Sequence, residues 1–310
     1  MNGENLNPSA TSKLELSYSA IEDWTRCPSY YLYRRVFNIC GTGESMGAAS
    51  FGQAFHLADE VRAKGSSIEQ AIDVALASFN PDPTDEVRTP IKLRILLEEY
   101  FKYYAFDVQR YEWLGSEIWF EIPLTDDISF RGYIDKVLRE RSTGSIWFKD
   151  IKTTSTPASF VAEPNAQFEG YLAADEVVKP VLYLENDLKG LIVDVVAVQK
   201  GKPDFRKDGK GFYAGKGPAD CFFRYPTYRT PEQLKEWNLQ IRMIAYMIHS
   251  CYQLETWPMF TSNCRKYNRE CAYRGICNRP PQERGSIINS SLFKQREQRP
   301  QKGEPIPTAP

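Results

Sequence analysis

The stretch FRGYIDKVLRERSTGSIWFKDIKTT (Phe130–Thr154) decides the fold. Two runs of aromatic and β-branched residues flank the polar turn RSTG, the pattern of a β-hairpin. Charges interrupt both runs. Asp135 sits in the first, and Asp150 and Lys152 sit in the second. Side chains two apart on a strand share a face, so Asp150 and Lys152 point the same way. A two-residue turn at Ser142–Thr143 sets Asp135 opposite Asp150. A turn at Thr143–Gly144 sets Asp135 opposite Lys152. In both registers the three charged residues lie on one face.

Directly opposed Cβ atoms are about 4.5–5.5 Å apart. Two carboxylates that close repel unless something positive stands between them. A hard divalent cation, which prefers oxygen ligands, meets that need. A lysine beside it can orient or deprotonate a water, the arrangement for metal-assisted phosphodiester hydrolysis. The plainer alternative is a salt-bridged strand pair, with Asp150 neutralised by Lys152 and Asp135 solvated at an edge.

Outward from the hairpin, the first third of the chain reads as helical. In LSYSAIEDWTRCPSYYLYRRV (Leu16–Val36), Ser17 or Ser19 suits an N-cap and Pro28 interrupts the helix. GAASFGQAFHLADEVRAKG is amphipathic and ends at Gly65, and SIEQAIDVALASF and IKLRILLEEYFKYYAFDVQRY are further helical runs. SEIWFEIPL is a strand before the hairpin, and LKGLIVDVVAVQK and CFFRYPTYR are strands after it. PNAQFEGYLAADEVV and PEQLKEWNLQIRMIAYMIHSCYQLE are helices. This order predicts an α/β (α+β) fold with a mixed sheet in a single domain spanning 14–283. Its helical part is 14–113, its core 114–230, and its C-terminal helix and cysteine segment 231–283. Residues 1–13 are expected to be flexible and 284–310 to be a disordered, Pro-rich tail.

The chain has 310 residues and a net charge of −1, so nucleic-acid affinity must come from local basic patches. No window approaches the roughly 18 apolar residues of a membrane span, and MNGENLNPSATSK lacks a secretory h-region. We therefore expect no membrane partner and a cytoplasmic location. Seven cysteines without an export signal favour metal or cluster ligation over disulfides. KGFYAGKG (Lys210–Gly217) fails as a phosphate-binding P-loop. Lysine stands where the first glycine belongs, and glycine where Ser or Thr would bind Mg2+. Its basic character, with Phe212 and Tyr213, suits gripping a single nucleic-acid strand or a solvated hairpin tip.

GYIDKV, DIKTT and NAQFEGY, in that order and preceded by FGQAFHLADE, resemble the RecB-type nucleases of the PD-(D/E)xK superfamily. The resemblance implies a restriction-endonuclease-like core with helical additions at both ends. It implies that His56, Asp135 and Asp150 hold Mg2+ or Mn2+, with the backbone carbonyl of Ile151 as a further ligand. Lys152 is then the catalytic lysine, and Gln167 and Tyr171, four apart on one helix face, complete the site. Glu121 is implied to support it from outside the metal shell.

The resemblance also implies DNA as substrate, open-ended or single-stranded, and work in recombination, repair or phage DNA processing. A helicase or recombination partner belongs to that setting, in a bacterial or phage-infected cell. A structure-selective endonuclease and a non-catalytic nucleic-acid-binding subunit are the alternatives. Cys27, followed by Pro28, and Cys264, Cys271 and Cys277 resemble the [4Fe–4S] ligands of one branch, which includes CRISPR-adaptation nucleases and the AddB subunit. Such a cluster would join the N- and C-terminal additions. The interval Cys264–Cys271 is longer than the Cys-x2-Cys of that branch, and zinc or unligated thiols are the other readings.

Overall fold

The computed structural model describes residues 13–42, 46–199, 203–205, 211–213, 220–266 and 269–296. In chain order, β1 (Leu14–Leu16) leads into α1 (Tyr18–Arg26), capped by the Ser17 hydroxyl, which accepts the Ala20 N–H. Cys27 ends α1 in extended geometry. Pro28 then opens α2 (Pro28–Tyr31), which runs into a π-helical turn over Leu32–Val36. β2 (Ile39–Gly41) precedes three helices, α3 (Gly47–Ala63), α4 (Ile68–Ser78) and α5 (Pro90–Tyr103). Ser67 and Gln70 form a capping box on α4, and Thr89 caps α5.

After the short α6 (Asp107–Arg110) come β3 (Tyr111–Pro123), β4 (Ile128–Glu140) and β5 (Ile146–Thr154). The strand expected from Ser116 thus begins at Tyr111. Next are α7 (Ala166–Ala173), α8 (Asp175–Val181), β6 (Leu188–Ala197), the hairpin β7 (Pro203–Phe205) and β8 (Gly211–Tyr213), and β9 (Phe222–Thr227). The side chains of Phe212 and Tyr213 lie outside the described residues. α9 (Pro231–Gln253), β10 (Arg265–Lys266), β11 (Arg269–Glu270), α10 (Arg274–Cys277), α11 (Arg284–Ile288) and β12 (Phe293–Gln295) complete the chain.

These elements form two compact units. One takes Met1–Glu44, Glu121–Gly132 and Lys235–Pro310, and the other Ser45–Phe120 and Tyr133–Leu234. In the first unit β1 runs parallel to the start of β4, with Leu16 beside Phe130. The Phe130 ring meets Trp237 of α9 edge-on at 5.4 Å. Tyr30, Tyr33, Ile39, Tyr273 and Ile276 form a second buried cluster. β12 pairs antiparallel with β2, and Phe293 stacks on Tyr273 at 5.9 Å. This corrects the expectation of a disordered tail from residue 284. Ile287, Ile288 and Phe293 give the polar segment enough apolar surface to dock. Residues 297–310 and the N-terminal 1–12 lie outside the described residues.

In the second unit β4, β5, β6 and β9 follow one another across the sheet, and β3 pairs with β4. β4/β5 and β6/β9 are antiparallel, and β5/β6 is parallel, so the sheet is mixed. The parallel pair needs a crossover, and α7 and α8 supply it. Phe51 and Phe55 of α3, Leu96 of α5, Ile151 of β5 and Val196 of β6 share one core. Every residue of β5 from Ile146 to Ile151 is buried, as in a strand covered on both faces. The β4–β5 loop is longer than the two-residue turn expected. Gly144 closes it with φ +73° and donates its N–H to Glu140 O at 2.8 Å. The register is nevertheless the first of the two considered, with Lys136 opposite Lys149 and Arg139 opposite Ile146.

Candidate metal centre

Continued one step past Lys136–Lys149, the register brings Asp135 level with Asp150, on the face opposite the lysines. α3 supplies a third group. Phe51, Ala54, Phe55 and Ala58 bury at three- and four-residue spacing, and His56 projects beside that stripe. His56 Nδ1 lies 3.1 Å from Asp135 Oδ2. One donor atom each from His56, Asp135 and Asp150 fall within 4.8 Å of one another, the only such grouping of His, Cys, Asp or Glu among the described residues. Metal–donor bonds of about 2.1 Å at right angles would put neighbouring donors about 3.0 Å apart, close to that His56–Asp135 separation.

Asp150 is 1% exposed. Neither of its oxygens, nor Asp135 Oδ2, has a well-formed hydrogen-bond donor among the described residues. Lys152 Nζ is the counter-charge, 2.8 Å from Asp150 Oδ2. Burial, then the charge of Asp150, push the Asp135 carboxyl well above the usual carboxylate range. Burial pushes Asp150 upward too, but Lys152 with its neighbours outweighs it and holds Asp150 below that range. Burial also lowers His56, which leaves a neutral imidazole with a lone pair to give. A neutral imidazole and two closely set carboxylates fit a divalent ion.

Gln167 and Tyr171 lie on α7, which Asn165 caps by accepting the Gln167 N–H. Gln167 Nε2 donates to Tyr171 Oη at 2.8 Å. Burial, then the charges of Asp135 and Asp150, raise Tyr171 well above its ordinary value, so it stays a neutral phenol. Phe168 of the same helix presents its ring 5.8 Å from Lys152 Nζ. Ile151 buries its side chain in the core, yet the residue also lines the cavity beside His56 and Asp135.

The sequence from 15 to 278 matches the model of the PD-(D/E)XK nuclease superfamily. The chain belongs to that superfamily. No curated protein matches it. As a PD-(D/E)XK chain it carries the (D/E)-x-K signature as Asp150-Ile151-Lys152, while Ile134 stands where the name has proline before the first acid. Members are generally nucleases that hydrolyse phosphodiester bonds with divalent metal ions, and DNA is the substrate this membership implies. The mixed sheet agrees with that fold.

Two features escaped the sequence. Glu121 accepts Lys13 Nζ in the first unit, whereas Glu117, on the same strand, lines the cavity beside His56 and Asp135. Gly115-Ser116 just before Glu117 was the available hint of an irregular strand. Asp59 and Lys136 form a buried ion pair behind the site, from residues that look like ordinary surface charges in the sequence.

The four cysteines singled out are part-buried, whereas Cys40, Cys221 and Cys251 are buried. Phe260 N–H points at Cys27 Sγ at 3.3 Å, and Cys271 N–H donates to Cys264 O at 2.9 Å. Burial raises both Cys271 and Cys277. Cys271 also feels Cys264 and Cys27, and Cys277 feels Cys271 and Cys27. Among the described residues no helix is long and apolar enough to cross a membrane.

Proposed function

We propose that this chain is a RecB-type, Mg2+- or Mn2+-dependent DNase that shortens single-stranded or open-ended DNA. The observation that carries the reading is the convergence of His56, Asp135 and Asp150 with Lys152 against Asp150. A bound cation would supply a Lewis acid for the scissile phosphate. His56, Asp135 and Asp150 would hold it, with the Ile151 carbonyl as a further donor. Lys152, kept beside Asp150, orients the attacking water. Tyr171, a neutral donor fixed by Gln167, contacts the scissile strand or steadies Lys152. The interleaving of both units along the chain, and a family match across both, support one nuclease domain over 14–283.

We further propose that Cys27, Cys264, Cys271 and Cys277 bind a [4Fe–4S] cluster. Their mutual electrostatic influence supports this, as does the N–H aimed at Cys27 sulfur, a kind of contact that tunes cluster thiolates. Among the described residues no three of these sulfurs lie within 4.8 Å of one another. A single zinc, with bonds of about 2.3 Å, needs them closer than a cubane does. A cytoplasmic setting in recombination, repair or phage DNA processing, beside a helicase, follows from the RecB likeness.

The test is end-labelled single- and double-stranded DNA with Mg2+ or Mn2+, beside a circular control. Linear DNA shortening while circles persist selects an exonuclease, and nicked circles select an endonuclease. Full cleavage by Asp150→Ala protein would remove the nuclease assignment from this site.

A further inference from the structure

We infer that Glu117 is a further carboxylate of the cation site, one that holds a water carried by the ion and so positions it. The inference rests on reading the site as a metal centre. Glu117 lines the same cavity as His56 and Asp135. Its negative charge bears on His56, Asp135 and Tyr171 together. It falls outside the trio whose donor atoms lie within 4.8 Å of one another, so its reach to the ion runs through solvent. A small hard cation suits that role, because it keeps several waters and takes few protein carboxylates.

The backbone gives the second line of argument. Glu117 has φ +53°, the left-handed region that costs energy for any residue with a Cβ. In regular β-alternation Glu117 would share the face of Glu121, the acid that pairs with Lys13. The left-handed residue breaks that alternation and re-aims the carboxylate, as a bulge does beside a site. Gly115 belongs to the same irregularity, because a Cβ there would lie 2.9 Å from Ile118 Cδ1. Strain held at an acidic residue that faces a metal cavity is the signature of a position kept for its side chain.

Mn2+ titration of the full chain by calorimetry, with thermal unfolding of the metal-free protein, tests this with Glu117→Gln, Glu117→Gly and Asp150→Asn. Glu117→Gln and Glu117→Gly should each weaken Mn2+ binding about ten-fold, as loss of an outer-shell partner does. Metal-free Glu117→Gly should unfold at a higher temperature than Glu117→Gln, because glycine relieves the left-handed strain. Asp150→Asn should lose Mn2+ altogether. Unchanged Mn2+ affinity in folded Glu117→Gln would overturn the inference. Loss as complete as that of Asp150→Asn would overturn the water-borne role. Wild-type protein that takes up no Mn2+, or Asp150→Asn that binds it normally, would instead bring down the metal-centre reading itself.

Discussion

Lys136 stands directly opposite Lys149 across the β4–β5 ladder, and each is the chain neighbour of a carboxylate of the candidate metal centre. Like charges directly opposed on a sheet repel, and both lysines are 6% exposed. Counter-charges on the same face resolve the conflict. Asp59 takes Lys136, and Asp194 lies 3.2 Å from Lys149. Asp194 in turn accepts from Tyr100 Oη and from Arg224, which also forms a two-pronged pair with Asp107. The hairpin thus carries an acidic rung on one face and a basic rung on the other, and the basic rung ties down the helix that delivers His56.

That tie can be measured. Lys136 Nζ donates to the Asp59 carboxylate and to Asp59 O at 3.1 Å, one turn after His56 on α3. Lys136→Met should destabilise the protein by about 3–5 kcal/mol, because it strands a buried carboxylate. The double variant Lys136→Met/Asp59→Leu should recover most of that loss. Urea unfolding of the three proteins and the wild type reads both effects. A single variant as stable as wild type would show that the pair bears no load.

The same pair sets an acid limit. Burial would raise Asp59, but Lys136, then Lys149, outweigh it and bring its carboxyl down to about 2. A carboxylate whose folded pKa lies below its unfolded value contributes stability above about pH 4. That contribution is lost as pH falls toward 2, and is worth about 2 kcal/mol. Urea midpoints followed from pH 5 to pH 2 should therefore fall less steeply in Asp59→Asn than in wild type. Parallel slopes would refute the linkage.

The hairpin was legible because its two-residue period and turn residues are local. Its register was narrowed to two, and the face shared by Asp135, Asp150 and Lys152 held in either. The loop length was missed because Gly144 adopts a left-handed conformation that composition does not reveal. Glu117 was missed for the same reason. Asp59 and Lys136 meet across 77 residues, so neither window contains the other. β12 was hidden by the polar residues around Phe293, whose partner Tyr273 is set by the fold and not by the neighbouring sequence.

At Asp150 the effects on function and on stability should part. In the metal-free protein it crowds Asp135, whose carboxyl burial and the Asp150 charge push upward. Asp150→Asn removes that repulsion at nearly constant volume. Its metal-free thermal midpoint should stay close to that of wild type, because the relieved repulsion offsets the lost pair with Lys152, while cleavage disappears and Mn2+ no longer raises the midpoint. Lys152→Ala should differ, losing cleavage but keeping the Mn2+-induced rise, since no ligand is removed. Scanning fluorimetry with and without Mn2+ distinguishes them, and a flat response in Lys152→Ala would make the lysine part of the ion's seat.

The cysteines yield the last prediction. Cys27 ends α1, while Cys264, Cys271 and Cys277 flank β10, β11 and α10 at the far end of the chain. Tyr31 stacks on Trp257 at 5.6 Å, and Ser29 Oγ donates to Trp257 O at 2.8 Å, so apolar and polar contacts already join these segments. A cluster would add a covalent staple across that long loop, which stabilises most where the closed loop is longest. Protein purified without oxygen should be brown and hold close to four irons per chain, the content of the cluster named. Cys27→Ser and Cys271→Ser should each lose the iron and unfold at lower denaturant, while Cys40→Ser should keep its iron, since Cys40 packs within β2. Neither loss touches the carboxylates, so the folded fraction of each variant should still cleave DNA. Zinc in place of iron would keep the staple and discard the cluster. Metal-free wild type, as stable as its Cys27→Ser variant, would discard both and leave the four thiols as packing.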